Sequence, residues 1–205
     1  MATIKSGVSS DVLTIGTTSK AARVELYDSR GNNRGVKRTY RAATTAPFVA
    51  AAGTGLFFVI EGSGTATIRI QRIRISGLTL TAVAYSAVVL QKYSTASSGG
   101  TPTNLTIVNV DSTDAAGTAN RCAVFTAAPT AGSAVGAIAS MRPLAQATTA
   151  AAAGIPDVDI TFDFRVVGEA DCPTLRGTAQ GLGLNFAASP ASAVTMTLEV
   201  EWTEE

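Results

Sequence analysis

Thr195-Met-Thr-Leu-Glu-Val-Glu-Trp-Thr203 sets Met196, Leu198, Val200 and Trp202 on one parity and Thr195, Thr197, Glu199, Glu201 and Thr203 on the other. Side chains of an extended chain point alternately to two faces, so this stretch is a strand with one apolar and one polar face. It ties the end of the chain into a sheet. The pattern recurs where Val158, Ile160, Phe162 and Phe164 alternate with Asp157, Asp159, Thr161, Asp163 and Arg165, and again where Leu182, Leu184 and Phe186 alternate with Gly183 and Asn185.

Upstream, Leu56-Phe-Phe-Val-Ile60 is an apolar run between Gly55 and Gly62-Ser-Gly64. It is too short and too rich in aromatic and branched residues for a helix, so it reads as a core strand. Ala66, Ile68 and Ile70 share a parity that Ile73 and Ile75 break. A bulge at Gln71-Arg72, or a bend from one sheet into another, must absorb one residue there. Residues 78–85, 87–92 and 105–110 are further strand candidates, and the polar stretch 94–103 reads as a surface loop. Residues 122–125 and 134–138 are short apolar stretches. The Ala-rich segment 144–153 has a helical composition that Thr148, Thr149 and Gly154-Ile-Pro156 oppose.

The chain has 205 residues, among them 36 Ala and 28 Thr. Threonine at that level favours sheet and loop over helix. About eight to ten short strands without long helices predict an all-β, antiparallel β-sandwich of jelly-roll type. An immunoglobulin-like sandwich is the nearest alternative, but it wants a Trp between its two cysteines. The single Trp here, Trp202, lies beyond both Cys122 and Cys172.

Charge is unevenly spread. Residues 1–45 carry eight basic and three acidic side chains, and residues 46–205 carry eight basic and twelve acidic, so a local +5 and a local −4 sum to the net +1. Opposite signs on two parts of one chain favour association between copies, or of an arm with an acidic surface. Residues 1–45 therefore read as a basic N-terminal arm and hairpin, and residues 46–205 as the sandwich domain. Ile4, Val8, Val12, Leu13 and Ile15 supply apolar contacts along the arm, and Arg34, Lys37, Arg38 and Arg41 supply charge; together they are the expected partner-binding residues. Contact of the basic cluster with nucleic acid is the weaker reading, because Glu25 and Asp28 stand close by. No apolar run approaches the roughly 18 residues of a membrane span, and the first residues lack the apolar stretch of a secretory signal.

With no His in the chain, the Ser-His-Asp and Cys-His arrangements are excluded and the commonest zinc ligand is missing. Asp157, Asp159 and Asp163 could approach a hard cation from one strand face, about 7 Å apart at the closest. The spacing has neither the Gly nor the terminal Glu of a calcium loop, and a solvated or intersubunit charged face accounts for it. Asp111-Ser-Thr-Asp114 is turn chemistry. Gly53-Thr-Gly55 and Gly62-Ser-Gly64 lack the following helix that a phosphate-cradling loop requires, and read as turns. No catalytic residue, metal or cofactor is expected. Whether Cys122 and Cys172 pair is left open.

Ile4-Lys-Ser-Gly-Val-Ser-Ser-Asp-Val-Leu-Thr-Ile15, with Thr17-Thr-Ser-Lys-Ala-Ala-Arg-Val-Glu-Leu-Tyr-Asp-Ser-Arg-Gly-Asn32, resembles the opening of structural proteins of tailed bacteriophages. The likeness continues through Lys92-Tyr-Ser-Thr-Ala-Ser-Ser-Gly-Gly-Thr101 and Leu198-Glu-Val-Glu-Trp-Thr-Glu-Glu205. The resemblance implies a virion component that is no enzyme. Within that group a bare sandwich with a basic arm matches a capsid decoration, or cement, protein: a late structural protein made in the host cytoplasm, laid on the major capsid protein, and homo-oligomeric as a trimer. A tail, baseplate or fibre component, or a host-surface binding module, is the alternative.

Overall fold

The parity of Met196, Leu198, Val200 and Trp202 is realised along an eleven-residue strand in which all four side chains are buried. The computed structural model describes residues 14–15, 22–23, 37–80, 87–142, 159–165 and 172–205. The chain divides into two compact units, residues 1–37 with Glu205, and Arg38–Glu204. In the first, β1 (Thr14–Ile15) pairs antiparallel with β2 (Ala22–Arg23), Ile15 opposite Ala22.

The second unit begins with β3 (Arg38–Ala43), β4 (Phe48–Ala50), β5 (Leu56–Glu61), β6 (Ile68–Leu80) and β7 (Val88–Tyr93). There follow β8 (Thr101–Asn104), β9 (Ile107–Asn109), β10 (Arg121–Ala127) and β11 (Ala134–Met141), then β12 (Ile160–Asp163), β13 (Thr174–Leu175), β14 (Gly181–Phe186) and β15 (Val194–Glu204). Among the described residues one sheet has the order β11-β7-β14-β5-β10-β8. The other has the order β12-β6-β15-β3-β9, with β4 also on β15 and β13 also on β6. The sheets pack as an all-β sandwich. Phe58, Ile60 and Leu184 of the first share one core with Ile73, Val200 and Trp202 of the second.

Four antiparallel pairs join early strands to late ones: β3 with β15, β5 with β14, β6 with β12, and β7 with β11. Between β7 and β11 the chain inserts β8, β9 and β10. These widen both sheets, β10 beyond β5 and β9 beyond β3. Tyr40 and Ala42 are buried opposite Trp202 and Val200, which carries β3 into the sheet and places the boundary between the units after Lys37.

The parity break in β6 is a bulge. Glu201 faces Arg72 and Trp202 faces Ile70, which leaves Gln71 as the extra residue. Ile68, Ile70, Ile73 and Ile75 all reach the core as a result. A second extra residue lies between Ser76, opposite Thr197, and Thr79, opposite Thr195. Gly77 supplies it, with a φ of 66° that a side chain would resist.

Two local expectations differ from the fold. Thr101–Asn104 is polar and reads as loop, yet its backbone completes the edge of β10 as a strand. Of the stretch 105–110 only Ile107–Asn109 is a strand, because the chain passes from one sheet to the other between β8 and β9. Ile160 and Phe162 are buried and Phe164 is half-buried. The readings that fall on residues 81–86 and 143–158, among them the Ala-rich segment, lie outside the described residues.

Deleting Gln71 should leave the fold intact, because Ile70, Arg72, Ile73, Arg74 and Ile75 would then alternate without a break. The loss should be about 1–2 kcal/mol, for the bonds from Gln71 Nε2 to Thr203 Oγ1 and from Phe164 N to Gln71 O. Deleting Arg74, where pairing with Glu199 is regular, should cost clearly more by turning Ile75 outward. Urea unfolding of the two variants is the check.

Candidate interaction surface

The parity of β15 that faces away from the core builds a charged ladder with its neighbours. Asp163, Arg72, Glu201 and Arg41 stand opposite one another across β12, β6, β15 and β3, so the sign of charge alternates along the row. Arg41 Nη2 is 2.8 Å and Arg72 Nη2 3.5 Å from Glu201 Oε2, and Arg72 Nη2 is 2.6 Å from Glu199 Oε1. Arg74 Nη2 lies 2.7 Å from Asp159 Oδ2, and Arg165 Nε donates to Asp163 Oδ1 at 3.0 Å. The carboxylates that could have suggested a cation site are therefore answered by arginines; Asp157 lies outside the described residues. Among the described residues no three His, Cys, Asp or Glu stand together to hold a metal.

Two further carboxylates are buried and fasten loops. Glu61, at the end of β5, accepts from Ser97 N at 3.1 Å, from Asn120 Nδ2 at 3.2 Å and from Arg121 Nη2. Arg121 Nη2 also donates to Ser97 O at 2.7 Å, and its guanidinium carbon stands 5.7 Å from the centre of the Phe125 ring. Arg121 Nε finds no hydrogen-bond acceptor, so the ring face and the carboxylate together must offset its desolvation. Glu204 lies on the inward parity of β15. It accepts from Trp202 Nε1 at 2.9 Å, from Thr118 N at 3.0 Å and from Thr118 Oγ1 at 2.7 Å. Period-two counting from Met196 puts Glu204 on the apolar face, a signal present in the sequence. Glu61 gives less warning, since it ends a run in which every residue is buried.

The expected turn at Gly62-Ser-Gly64 is closed by Ser63 Oγ, which accepts from Thr65 N at 3.0 Å and Ala66 N at 3.1 Å. Those amides are thereby occupied. A Cβ on Gly62 would press into the carbonyl oxygen of Gly177, so the turn also needs the missing side chain. Cys122 and Cys172 are buried free thiols, and burial pushes Cys122 up to about 12, which keeps it protonated at neutral pH.

Of the expected partner-binding residues, Ile4, Val8, Val12, Leu13 and Arg34 lie outside the described residues, and Ile15 belongs to β1. Lys37 Nζ is 2.7 Å from a Glu205 carboxylate oxygen. Arg38 stands 3.6 Å from Asp114, and Arg41 is held in the ladder. The charges of Arg38 and Arg41 are thus matched inside the sandwich unit. Beside Arg41, across the β3–β9 pairing, the ladder ends in apolar surface: Val108 is 57% and Val110 56% exposed. No protein-family model, curated protein or solved structure matches the chain.

Glu61→Ala should destabilise the protein by about 3–5 kcal/mol, because it leaves Arg121 charged and partly buried without its partner. Glu61→Leu combined with Arg121→Leu should recover most of that loss, and denaturant midpoints of the three proteins decide it. The Arg165 hydrogen bonds hold the Asp163 carboxyl down to about 2 from an ordinary 3.8. A lowered folded-state value stabilises above the unfolded value, and that contribution fades as pH falls through the folded one. Wild type and Asp163→Asn should therefore differ by about 0–1 kcal/mol at neutral pH and converge as the pH drops from about 4 to about 2.

Proposed function

We propose that this chain is a structural component of a bacteriophage virion, a capsid decoration protein that holds neighbouring major capsid subunits together, and that its sandwich is strung as a jelly roll. The observation that carries the reading is the nested pairing of β3, β5, β6 and β7 with β15, β14, β12 and β11. A chain folded back on itself in that order, with β12-β6-β15-β3 in one sheet and β11-β7-β14-β5 in the other, follows the double Greek-key plan common to viral capsid and lectin domains. The resemblance of the N-terminal and C-terminal stretches to phage structural proteins supports the viral branch. A glycan-binding role would stack exposed aromatic rings on sugar, whereas among the described residues Tyr40, Tyr93, Phe125, Phe186 and Trp202 are buried and Phe48 and Phe164 half-buried. The role is one of assembly on the capsid surface, with further copies as a trimer and no catalytic step.

Attachment runs through the N-terminal arm. Arg38 and Arg41 already have partners in their own unit, and exposed ion pairs give only about 0–1 kcal/mol each. Burying Ile4, Val8, Val12, Leu13 and Ile15 gives roughly 1.5–3 kcal/mol for each large side chain fully covered, a larger return per residue than the ion pairs, set against about 1–2 kcal/mol of backbone entropy for each residue ordered.

Deleting residues 2–20 should leave the sandwich folded and weaken binding to particles lacking the protein by at least about tenfold, roughly 1.4 kcal/mol. A binding titration on capsids and on tails, each purified, is the test. Undiminished binding after the deletion would reject the arm, and binding to tails alone would move the protein to the tail.

A further inference from the structure

Among the described residues the two sheets end in four strands, β11, β8, β12 and β9. Three of these edges are poor templates for a further strand. The pairing of β11 with β7 slips twice, leaving Val135 and Ile138 as extra residues, and bulges of this kind twist an edge away. β8 carries Pro102, which offers no backbone N–H, and β12 carries Asp163, charged and paired with Arg165. β9 has none of these devices. Its register with β3 is regular, and Val110 N prolongs the ladder by donating to Thr39 O at 2.9 Å. The hydrogen-bonding direction of an antiparallel strand alternates from residue to residue, so Val108 and Val110 direct their backbone groups to β3 while Ile107 and Asn109 turn theirs to the open edge. The side chains of Val108 and Val110 are 57% and 56% exposed, on the face of the sheet that bears Arg41.

We propose that this edge pairs with the same edge of a second copy, β9 antiparallel to β9 about a two-fold axis at Asn109. The occupant follows from the edge itself. An axis centred there sets Asn109 against Asn109, Ile107 against Asp111 and Val108 against Val110. Residues with outward backbone groups then meet each other, and each valine meets a valine in a pair without hydrogen bonds, where side chains approach most closely. The Asn109 side chain is engaged on the inner face, its Nδ2 donating to Asp114 O at 2.6 Å and Ala115 O at 3.0 Å, so its backbone is what the second copy meets. No like charges come together. Asp111 faces an uncharged Ile107, while Arg41 keeps Glu201 at 2.8 Å and Arg38 keeps Asp114 at 3.6 Å. An unrelated strand would have to supply apolar residues at the same two positions, whereas every copy of this chain carries them. Two seven-stranded sheets become one, with four valines closing a seam between two charged ladders. The contact is isologous, so it closes as a pair and does not propagate. The seam spans residues 107–111 of each copy, well below a standard interface, which makes the pairing reversible. It is separate from any three-fold contact and does not rest on the virion reading.

Cysteine trapping of the full-length protein reads the register directly. Val108→Cys mixed with Val110→Cys should form a disulfide-linked dimer under mild oxidation, in a yield at least about tenfold above that of either variant alone, because only the mixture sets the two sulfurs opposite one another. Cys122 and Cys172 are buried, and wild type under the same oxidation is the control for them. Charge reversal tests the pairing without a covalent trap. Wild type should self-associate reversibly in sedimentation velocity, and Val108→Lys with Val110→Lys, or Val108→Glu with Val110→Glu, should each weaken that by at least about tenfold. Mixed together, the two charged variants should associate again, and more weakly at high salt. Rescue on mixing excludes misfolding of either variant as the cause. A wild type that stays monomeric at every concentration overturns the proposal. So does a linked dimer in equal yield from a single cysteine variant, no linked dimer from the mixture, or a mixture of charged variants that stays monomeric. Particles take no part in either measurement, so failure of the virion reading leaves this one standing.

Discussion

Everything in the sandwich unit hangs on the register of β15 between β6 and β3. A slip of one residue would exchange its faces, sending Glu199 and Glu201 into the core and Trp202 into water. Trp202 stacks on Tyr40 with ring centres 5.9 Å apart and is fully buried, so such a slip is prohibitive. A slip of two keeps the parity, and there the two bulges of β6 decide. Gln71 must fall between the partners of Glu201 and Trp202, and Gly77 between those of Thr195 and Thr197. The outer ion pairs add little energy, about 0–1 kcal/mol each. Their alternation in sign across four strands still rewards the one alignment in which each charge meets its opposite.

Much of this was legible in advance because it is local. Period-two alternation in residues 195–203 and 182–186, the apolar run at Leu56, and the broken parity after Ile70 each depend only on a strand having two faces. What was hidden depends on which strand lies next to which. Thr101–Asn104 has no strand-like composition and is extended because β10 offers it an edge. Arg38 and Arg41 look like free charge in a basic run, and only the neighbours β9 and β15 bring Asp114 and Glu201 to them. The same holds for Arg121 and Glu61, sixty positions apart and joined by the register of β10 on β5.

The buried carboxylates show how a small-residue sequence fixes its loops. Residues 94–100 and 115–119 are rich in Ser, Thr, Ala and Gly and bury little apolar surface, so hydrophobic contact cannot place them. Glu61 holds the first through Ser97 and Arg121, and Glu204 holds the second through the amide and hydroxyl of Thr118. A buried ion pair is seldom worth more than apolar packing of the same volume, but removing one partner is severe. The gain lies in geometry: a carboxylate that accepts several directed bonds leaves a loop one position to occupy.

That division of labour bears on how the protein can meet a partner. The outer face of the seven-stranded sheet has its charges matched in place, so docking there would desolvate ion pairs without offering new ones. The apolar residues left exposed lie mainly toward the rims: Val108 and Val110 at β9, and Val135, Ile138 and Met141 on β11. A partner that binds at a rim gains apolar burial and backbone hydrogen bonds together, and leaves the ladder in water. An extended segment can follow such a rim over several residues where a globular surface touches it at a point. Among the described residues the β9 rim is apolar and in regular register with β3, which suits it to backbone pairing more than to contact with a flat surface.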